Sequence, residues 1–162
     1  MKIELQKVSI EEKHILRHLL ELYQYDFSEF DLEDVNESGL YGYTYLDHYW
    51  TEEGRYPFLF RVGGKVAGFA LIRQVGMTDS NDAIYSVAEF FVMKKYRRTG
   101  VGRDVAFRLF DMFKGLWKIA EMEENRPAQE FWRKTIKEYT KANFKEIQEA
   151  DWDGPIQIFR TR

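Results

Sequence analysis

The residues with the most chemical content are contiguous: Val87-Ala88-Glu89-Phe90-Phe91-Val92-Met93-Lys94-Lys95-Tyr96-Arg97-Arg98-Thr99-Gly100-Val101-Gly102-Arg103. An apolar run gives way to a basic turn with two glycines, and then to a helical pattern. The first four amides of a helix have no internal partners, and the macrodipole adds partial positive charge there. Gly100 and Gly102 let the backbone approach a ligand, while Lys94, Lys95, Arg97, Arg98 and Arg103 surround it with cations. This is a cradle for a phosphate or diphosphate. The plainer alternative is a helix that begins in a glycine turn, its basic residues merely solvated. Two other phosphate motifs fit less well. Gly63-Gly64-Lys65 lacks the P-loop spacing, and Val105 stands where a dinucleotide fingerprint needs a small residue.

Glu89 lies inside the apolar run, where an unpartnered carboxylate is costly to bury. Period-2 alternation predicts Val87, Glu89, Phe91 and Met93 on one face. Desolvation would raise the Glu89 pKa toward the range useful to a general base; the alternative is an ion pair with a nearby Arg or Lys. His14 and His18 form an i, i+4 pair with no third ligand at suitable spacing, so we expect surface histidines and no metal site. No serine-histidine-acid arrangement can be assigned.

The elements that must position these residues follow from periodicity. Ile3 to Val8 alternates as a strand. Ser9 with Glu12 predicts a capping box ahead of a helix carrying Ile15, Leu16, Leu19, Leu20 and Leu22 and ending near Tyr25. From Asp26 to Arg55 the chain is acidic and aromatic, with one short helix near Tyr45 to Trp50. Phe58 to Val62 and Val66 to Ile72, joined by Gly63-Gly64, predict a hairpin, and Ile84 to Met93 is a third run of the same meander. A helix follows Gly102 and reaches Lys114, with Trp117 to Met122 as the next strand. Pro127 opens a further helix, and Phe144 to Ile147 with Ile156 to Phe159 closes the chain as a strand pair. The order β-α-(α)-β-β-β-α-β-α-β-β is α+β. With no Pro/Ser/Gly-rich linker it predicts one domain over residues 1–162.

Composition narrows the classes. Hydrophobic residues are 44% and aromatics 17%, enough for a core and too many for wholesale disorder. With no cysteine, disulfides, zinc-thiolate sites and a cysteine nucleophile are excluded. Lys+Arg 24 against Asp+Glu 27 gives a net charge of −3, which argues against nucleic acid as a partner. No apolar run approaches the roughly 20 residues of a membrane span. The amino terminus carries Glu4 where a signal peptide would be basic and then apolar. The expectation is a cytoplasmic domain without a membrane partner.

Arg97-Arg98-Thr99-Gly100-Val101-Gly102 matches the R/Q-x-x-G-x-G/A signature of the GCN5-related N-acetyltransferases, between an apolar strand and a long helix. Asn125-Arg126-Pro127-Ala128-Gln129-Glu130-Phe131-Trp132 resembles that family's second motif, and the element order agrees from Ile3 to Phe159. The resemblance implies a mostly antiparallel sheet flanked by helices, with two strands splayed into an acyl-CoA slot. It implies acetyl-CoA as co-substrate, its pyrophosphate held by the signature turn from Arg97 through Arg98, Thr99, Gly100, Val101 and Gly102 to Arg103. It further implies that the pantetheine arm pairs with the backbone of Phe91, Val92 and Met93, with Asn125 and Phe131 contacting the cofactor from the other side.

Within that family an acid at the position of Glu89 often acts as base, through water, on the acceptor ammonium. Many relatives have a Tyr that protonates the leaving thiolate where this chain has Trp132, whose indole does not usefully donate a proton, so no general acid is assigned. Direct transfer is expected over an acetyl-enzyme. The acceptor would be an amine of a small molecule or peptide, near the loop after the first helix, where Tyr25, Asp26 and Glu29 set acid beside aromatic rings. The alternative is a CoA-binding module without turnover, acting as a sensor or interaction domain. The aromatics of that loop would also suit a homodimer interface.

Overall fold

The structure, a computed structural model, describes residues 1–162. Its elements are β1 (Ile3–Lys7), α1 (Lys13–Asp31), α2 (His48–Thr51), β2 (Arg55–Val62), β3 (Lys65–Met77), β4 (Ala83–Val92), α3 (Val101–Met112), β5 (Leu116–Ala120), α4 (Arg126–Thr140), β6 (Lys145–Ile147) and β7 (Ile156–Arg160). The seven strands form one sheet ordered β1-β2-β3-β4-β5-β7-β6, antiparallel except at β4–β5. Gly63 and Gly64, both at positive φ, turn the β2–β3 hairpin.

Each face of the sheet has its own core. On one side Phe58, Phe60, Ala70, Ile72, Trp117 and Phe159 pack under Val105, Leu109 and Phe110 of α3 and Trp132 and Ile136 of α4. On the other, Leu59, Phe69, Leu71 and Phe91 meet Leu16, Leu19 and Leu20 of α1 and Tyr49 of α2. Two regular helix stripes and a period-2 sheet are what this pattern requires.

Three local expectations are corrected. Ser9 does not cap α1: a 3-10 turn at Ile10–Glu12 intervenes, and the Ser9 hydroxyl donates to Glu12 Oε1 at 3.3 Å. α1 runs six residues past Tyr25, because Asp26 to Asp31 contains neither Pro nor Gly and the stripe continues through Tyr23, Phe27 and Phe30. Successive ring centroids along it lie 5.6 and 6.1 Å apart, and Leu32 in left-handed conformation ends the helix. Finally, β4 is bulged. Leu71 pairs Glu89 while Ile72 pairs Val87, leaving Ala88 as the extra residue. Val87 therefore packs on the α3–α4 side, while Ala88, Glu89, Phe91 and Met93 face α1.

Candidate active site

β4 and β5 pair only at Ile84↔Leu116 and Tyr85↔Trp117. Beyond that the parallel strands part, so β4 from Ser86 onward has no strand neighbour on this side. Met93 donates its amide to Ala67 O at 2.8 Å, and the Phe91 carbonyl points at Gly68 of β3. By the alternation of an antiparallel ladder, the backbone polar groups of Phe91 and Met93 belong to β3, and those of Phe90 and Val92 face the gap. The slot edge expected at Phe91, Val92 and Met93 is thus Phe90 and Val92.

The basic turn sits where the gap opens. After a 3-10 turn at Lys94–Tyr96, Arg98 (φ 61) and Gly100 (φ 89) are left-handed, and α3 begins at Val101. None of the amides from Arg98 to Arg103 donates to a group of the chain; the first internal bond is Asp104 N to Gly100 O, 3.0 Å. Such a run of outward N–H groups at a helix start is an anion-binding nest. The two glycines serve different ends. Gly100 supplies the positive φ. A Cβ on Gly102 would lie 3.1 Å from the Phe131 ring and 3.3 Å from Val92 Cγ2, so that glycine lets α4 close on α3 and β4.

Neighbouring side chains are partly committed. Arg97 donates through Nε to Val92 O (2.8 Å) and through its terminal nitrogen to Asp26 Oδ2 (2.7 Å), tying the turn to β4 and α1. Arg103 reaches Glu138 at 3.3 Å, and the Thr99 hydroxyl caps the Tyr96 carbonyl. Asn125 Oδ1 accepts from Ala128 N at 3.2 Å as the N-cap of α4, leaving its NH2 available. Phe131 stacks on Phe90 at 5.7 Å and packs against Gly102 at the start of α3.

Glu89 stands on the α1 side of β4. The Tyr23 hydroxyl donates to Glu89 Oε1 at 3.0 Å, and no cation pairs with the carboxylate. Burial lifts the carboxyl from its ordinary range to about 7, against the pull of the Tyr23 and Tyr43 hydroxyls. Burial, and then the Glu89 charge, holds the hydroxyls of Tyr23 and Tyr43 above their ordinary range and that of Tyr49 at about 12, so all three keep their protons at neutral pH. Their placement has local causes. Tyr23 continues the α1 stripe and packs edge-on against Phe69 and Phe91, at 5.5 and 5.7 Å. Tyr43 is carried by a loop that Glu21 clamps, accepting from Tyr41 N and Gly42 N at 2.8 and 2.9 Å. α2 is fixed by the Trp50 indole donating to Val8 O at 2.9 Å and by Lys13 pairing with Asp47.

A cavity of about 390 Å3, walled by Tyr43, Tyr45, Tyr49, Arg55, Arg73 and Ala88, adjoins Glu89 through Ala88 and the Tyr43 hydroxyl. Glu89 and Tyr23 are not themselves in its wall. Tyr25, Asp26 and Glu29 are not in its wall. All three lie on α1, Tyr25 is 70% exposed, and Asp26 is engaged by Arg97. The sequence reading missed Tyr23, Arg55 and Arg73. The extended stripe Leu16–Leu19–Tyr23–Phe27 signals the first, whereas Arg55 and Arg73 gain their place only from the β2–β3 register.

Trp132 is a core residue, its ring 5.0 Å from Phe90 and 6.4 Å from Phe110. Tyr139 donates to Asp111 Oδ1 at 2.6 Å, tying α4 to α3. Neither is placed as a proton donor to the gap. His14 and His18 are exposed neighbours with ring centroids 6.3 Å apart, and no group of three or more His, Asp or Glu residues could hold a metal ion. No helix is long and apolar enough to cross a membrane.

The sequence matches the Acetyltransferase (GNAT) family over residues 16–136. A search of curated proteins finds no match. Among solved structures the chain is similar to an acetyltransferase from Thermus thermophilus, with 16% identity, TM-score 0.72, and 100% of this chain and 98% of that one covered. It is also similar to the PaiA N-acetyltransferase of Thermoplasma acidophilum in complex with coenzyme A (11%, 0.69, 100% of both chains). A third is the ribosomal-protein-S18-alanine N-acetyltransferase of Escherichia coli (15%, 0.59, 97% and 91%). At these identities the likeness is one of fold.

Proposed function

Because the chain belongs to the GNAT acetyltransferase family, and so is an acyltransferase, we propose that it moves an acetyl group from acetyl-CoA directly to a primary amine of a small molecule or peptide. The observation that carries the reading is the run of amides from Arg98 to Arg103, without internal acceptors, where β4 and β5 part. These groups fit a diphosphate, which needs several converging N–H donors and little else. The outward backbone groups of Phe90 and Val92 would pair with the pantetheine amides, and the Asn125 NH2 and the Phe131 ring would close the other wall. Arg97 holds this edge in place through Val92 O. The bound cofactor supplies the activated acetyl thioester.

The chain's own task is to deliver a neutral amine. An ammonium has no lone pair, so its proton must leave before it can attack. Glu89, lifted to about 7 by burial, is a base matched to neutral pH, and the Tyr23 hydroxyl fixes its carboxylate. A module that merely bound CoA would gain nothing from burying this carboxylate, which lowers stability.

The test is thiol release from acetyl-CoA with a panel of primary amines, native protein beside Glu89→Gln, with CoA binding of both followed by calorimetry. Native protein should turn over at least one amine, and the variant should bind CoA equally while losing about 10²- to 10⁴-fold in rate. Undiminished turnover in the variant would remove Glu89 as the base. An absence of binding heat with native protein would remove the cofactor reading.

A further inference from the structure

We propose that Arg73 is the anion-holding residue of the acceptor pocket, so that the acceptor is a small primary amine that also carries a carboxylate or phosphate group. This rests on the 390 Å3 cavity beside Glu89 being the acceptor pocket.

Arg55 and Arg73 are directly paired across β2 and β3, and both line the cavity. Like charges opposed on neighbouring strands destabilise a sheet unless something neutralises them. Arg55 is neutralised within the chain: its Nε meets Glu52 Oε2 at 2.7 Å, and its guanidinium lies 5.6 Å over the Tyr49 ring. Arg73 has no such partner. It is half-buried on β3, makes neither an ion pair nor a hydrogen bond within the chain, and faces a strand position, Ser86, with no charge. Glu89 does not serve it, since the carboxylate is met by tyrosine hydroxyls.

A second observation points the same way. The Tyr49 hydroxyl is buried in the cavity wall and has no hydrogen-bond partner. A buried hydroxyl left unpaired is costly, and an acceptor-bearing ligand placed against Arg73 would satisfy it. A guanidinium offers paired N–H groups in a planar fork, the geometry that carboxylate and phosphate oxygens match. The pocket is then bipolar, with Arg73 and Tyr49 holding an anion and Glu89 with Tyr23 receiving the ammonium. Arg73 lies two residues beyond Leu71, the β3 partner of Glu89, a separation of about 7 Å along the sheet at strand spacing because the bulge at Ala88 adds no length to the ladder. That separation suits an amine and an anion several bonds apart, as in an ω-amino acid.

The proposal is tested with matched probes, 6-aminohexanoate and 4-aminobutyl phosphate against hexylamine, on native protein, Arg73→Met and Arg73→Lys. The first readout is the Arg73 Nε–H NMR signal, assigned by its loss in Arg73→Lys, which needs no turnover. It should shift with one or both anionic amines and stay fixed with hexylamine, and the two anionic arms tell carboxylate from phosphate. The second readout is kinetic. Native protein should prefer an anionic amine at least tenfold in kcat/KM; Arg73→Met should erase that preference through KM with kcat nearly kept, and Arg73→Lys should restore part of it. An unmoved Arg73 signal with both anions, or a preference surviving in Arg73→Met, overturns the proposal. If the signal shifts but no amine is acetylated, the anion site stands and the acetyl-transfer reading falls.

Discussion

Between Arg98 and Arg103 the groups offered to a ligand are backbone amides from one short stretch of chain, whereas around Glu89 they are side chains from six separate places. The turn needs a backbone conformation, and two glycines with one helix start supply it. The region around Glu89 needs α1 to bring Tyr23, a clamped loop to bring Tyr43, α2 to bring Tyr49, and three strands to bring Arg55, Arg73 and Glu89. A site of the first kind should tolerate loss of its side chains and fail when its backbone is disturbed. A site of the second kind should do the reverse.

The largest effect that can break this contrast is in the turn. Gly100→Glu puts a side chain at φ 89 and a negative charge into the nest. We expect CoA affinity by calorimetry to fall at least about 100-fold, with the melting temperature confirming that the protein stays folded. Arg98→Ala removes a cation but keeps its amide; it should weaken binding less than about tenfold and flatten the dependence on salt. If both variants lose affinity equally, side chains hold the diphosphate and the contrast is wrong.

Glu89→Gln probes the other region through pH. In native protein kcat/KM should rise as pH passes through about 7 and level off above it, because the base must be unprotonated; the variant should lack that limb. Stability should move oppositely. The folded carboxyl titrates higher than the unfolded one, so the fold is favoured by its protonated form at low pH and loses that advantage as pH rises through about 7. Glu89→Gln, neutral throughout, should therefore be more stable than native protein at pH 8 by on the order of 2 kcal/mol, with the difference shrinking toward pH 4. Equal urea midpoints at pH 8 would mean that the carboxylate is not desolvated.

The same contrast explains what could be read from the sequence. The element order and the turn were legible because each is a local pattern: period 2, period 3.6, and a glycine pair before a helix. Glu89 was legible because a charge inside Val87 to Val92 stands out. Arg73 was not, since its meaning depends on Arg55 lying opposite and on Glu52 engaging only one of the two. The wrong face for Val87 has a similar origin: the bulge at Ala88 is set by pairing with β3 and leaves no mark in a single strand. Nor does a helix boundary announce itself where the helix simply continues, so Tyr25, Asp26 and Glu29 were expected in a loop.

Those three residues give the smallest expected effect and the sharpest check on the pocket wall. Tyr25 is exposed on α1, Glu29 makes no contact with the cavity, and exposed substitutions usually change stability by less than about 0.5 kcal/mol. Tyr25→Ala and Glu29→Ala should therefore leave the acceptor KM within about twofold of native. Tyr43→Phe, in the wall and beside Glu89, should change kcat/KM several-fold and shift the acid limb upward, because the carboxylate loses a hydroxyl that stabilises its charged form. A larger KM change from Tyr25→Ala than from Tyr43→Phe would move the acceptor to the outer face of α1, leaving Glu89 too far from the amine to act on it.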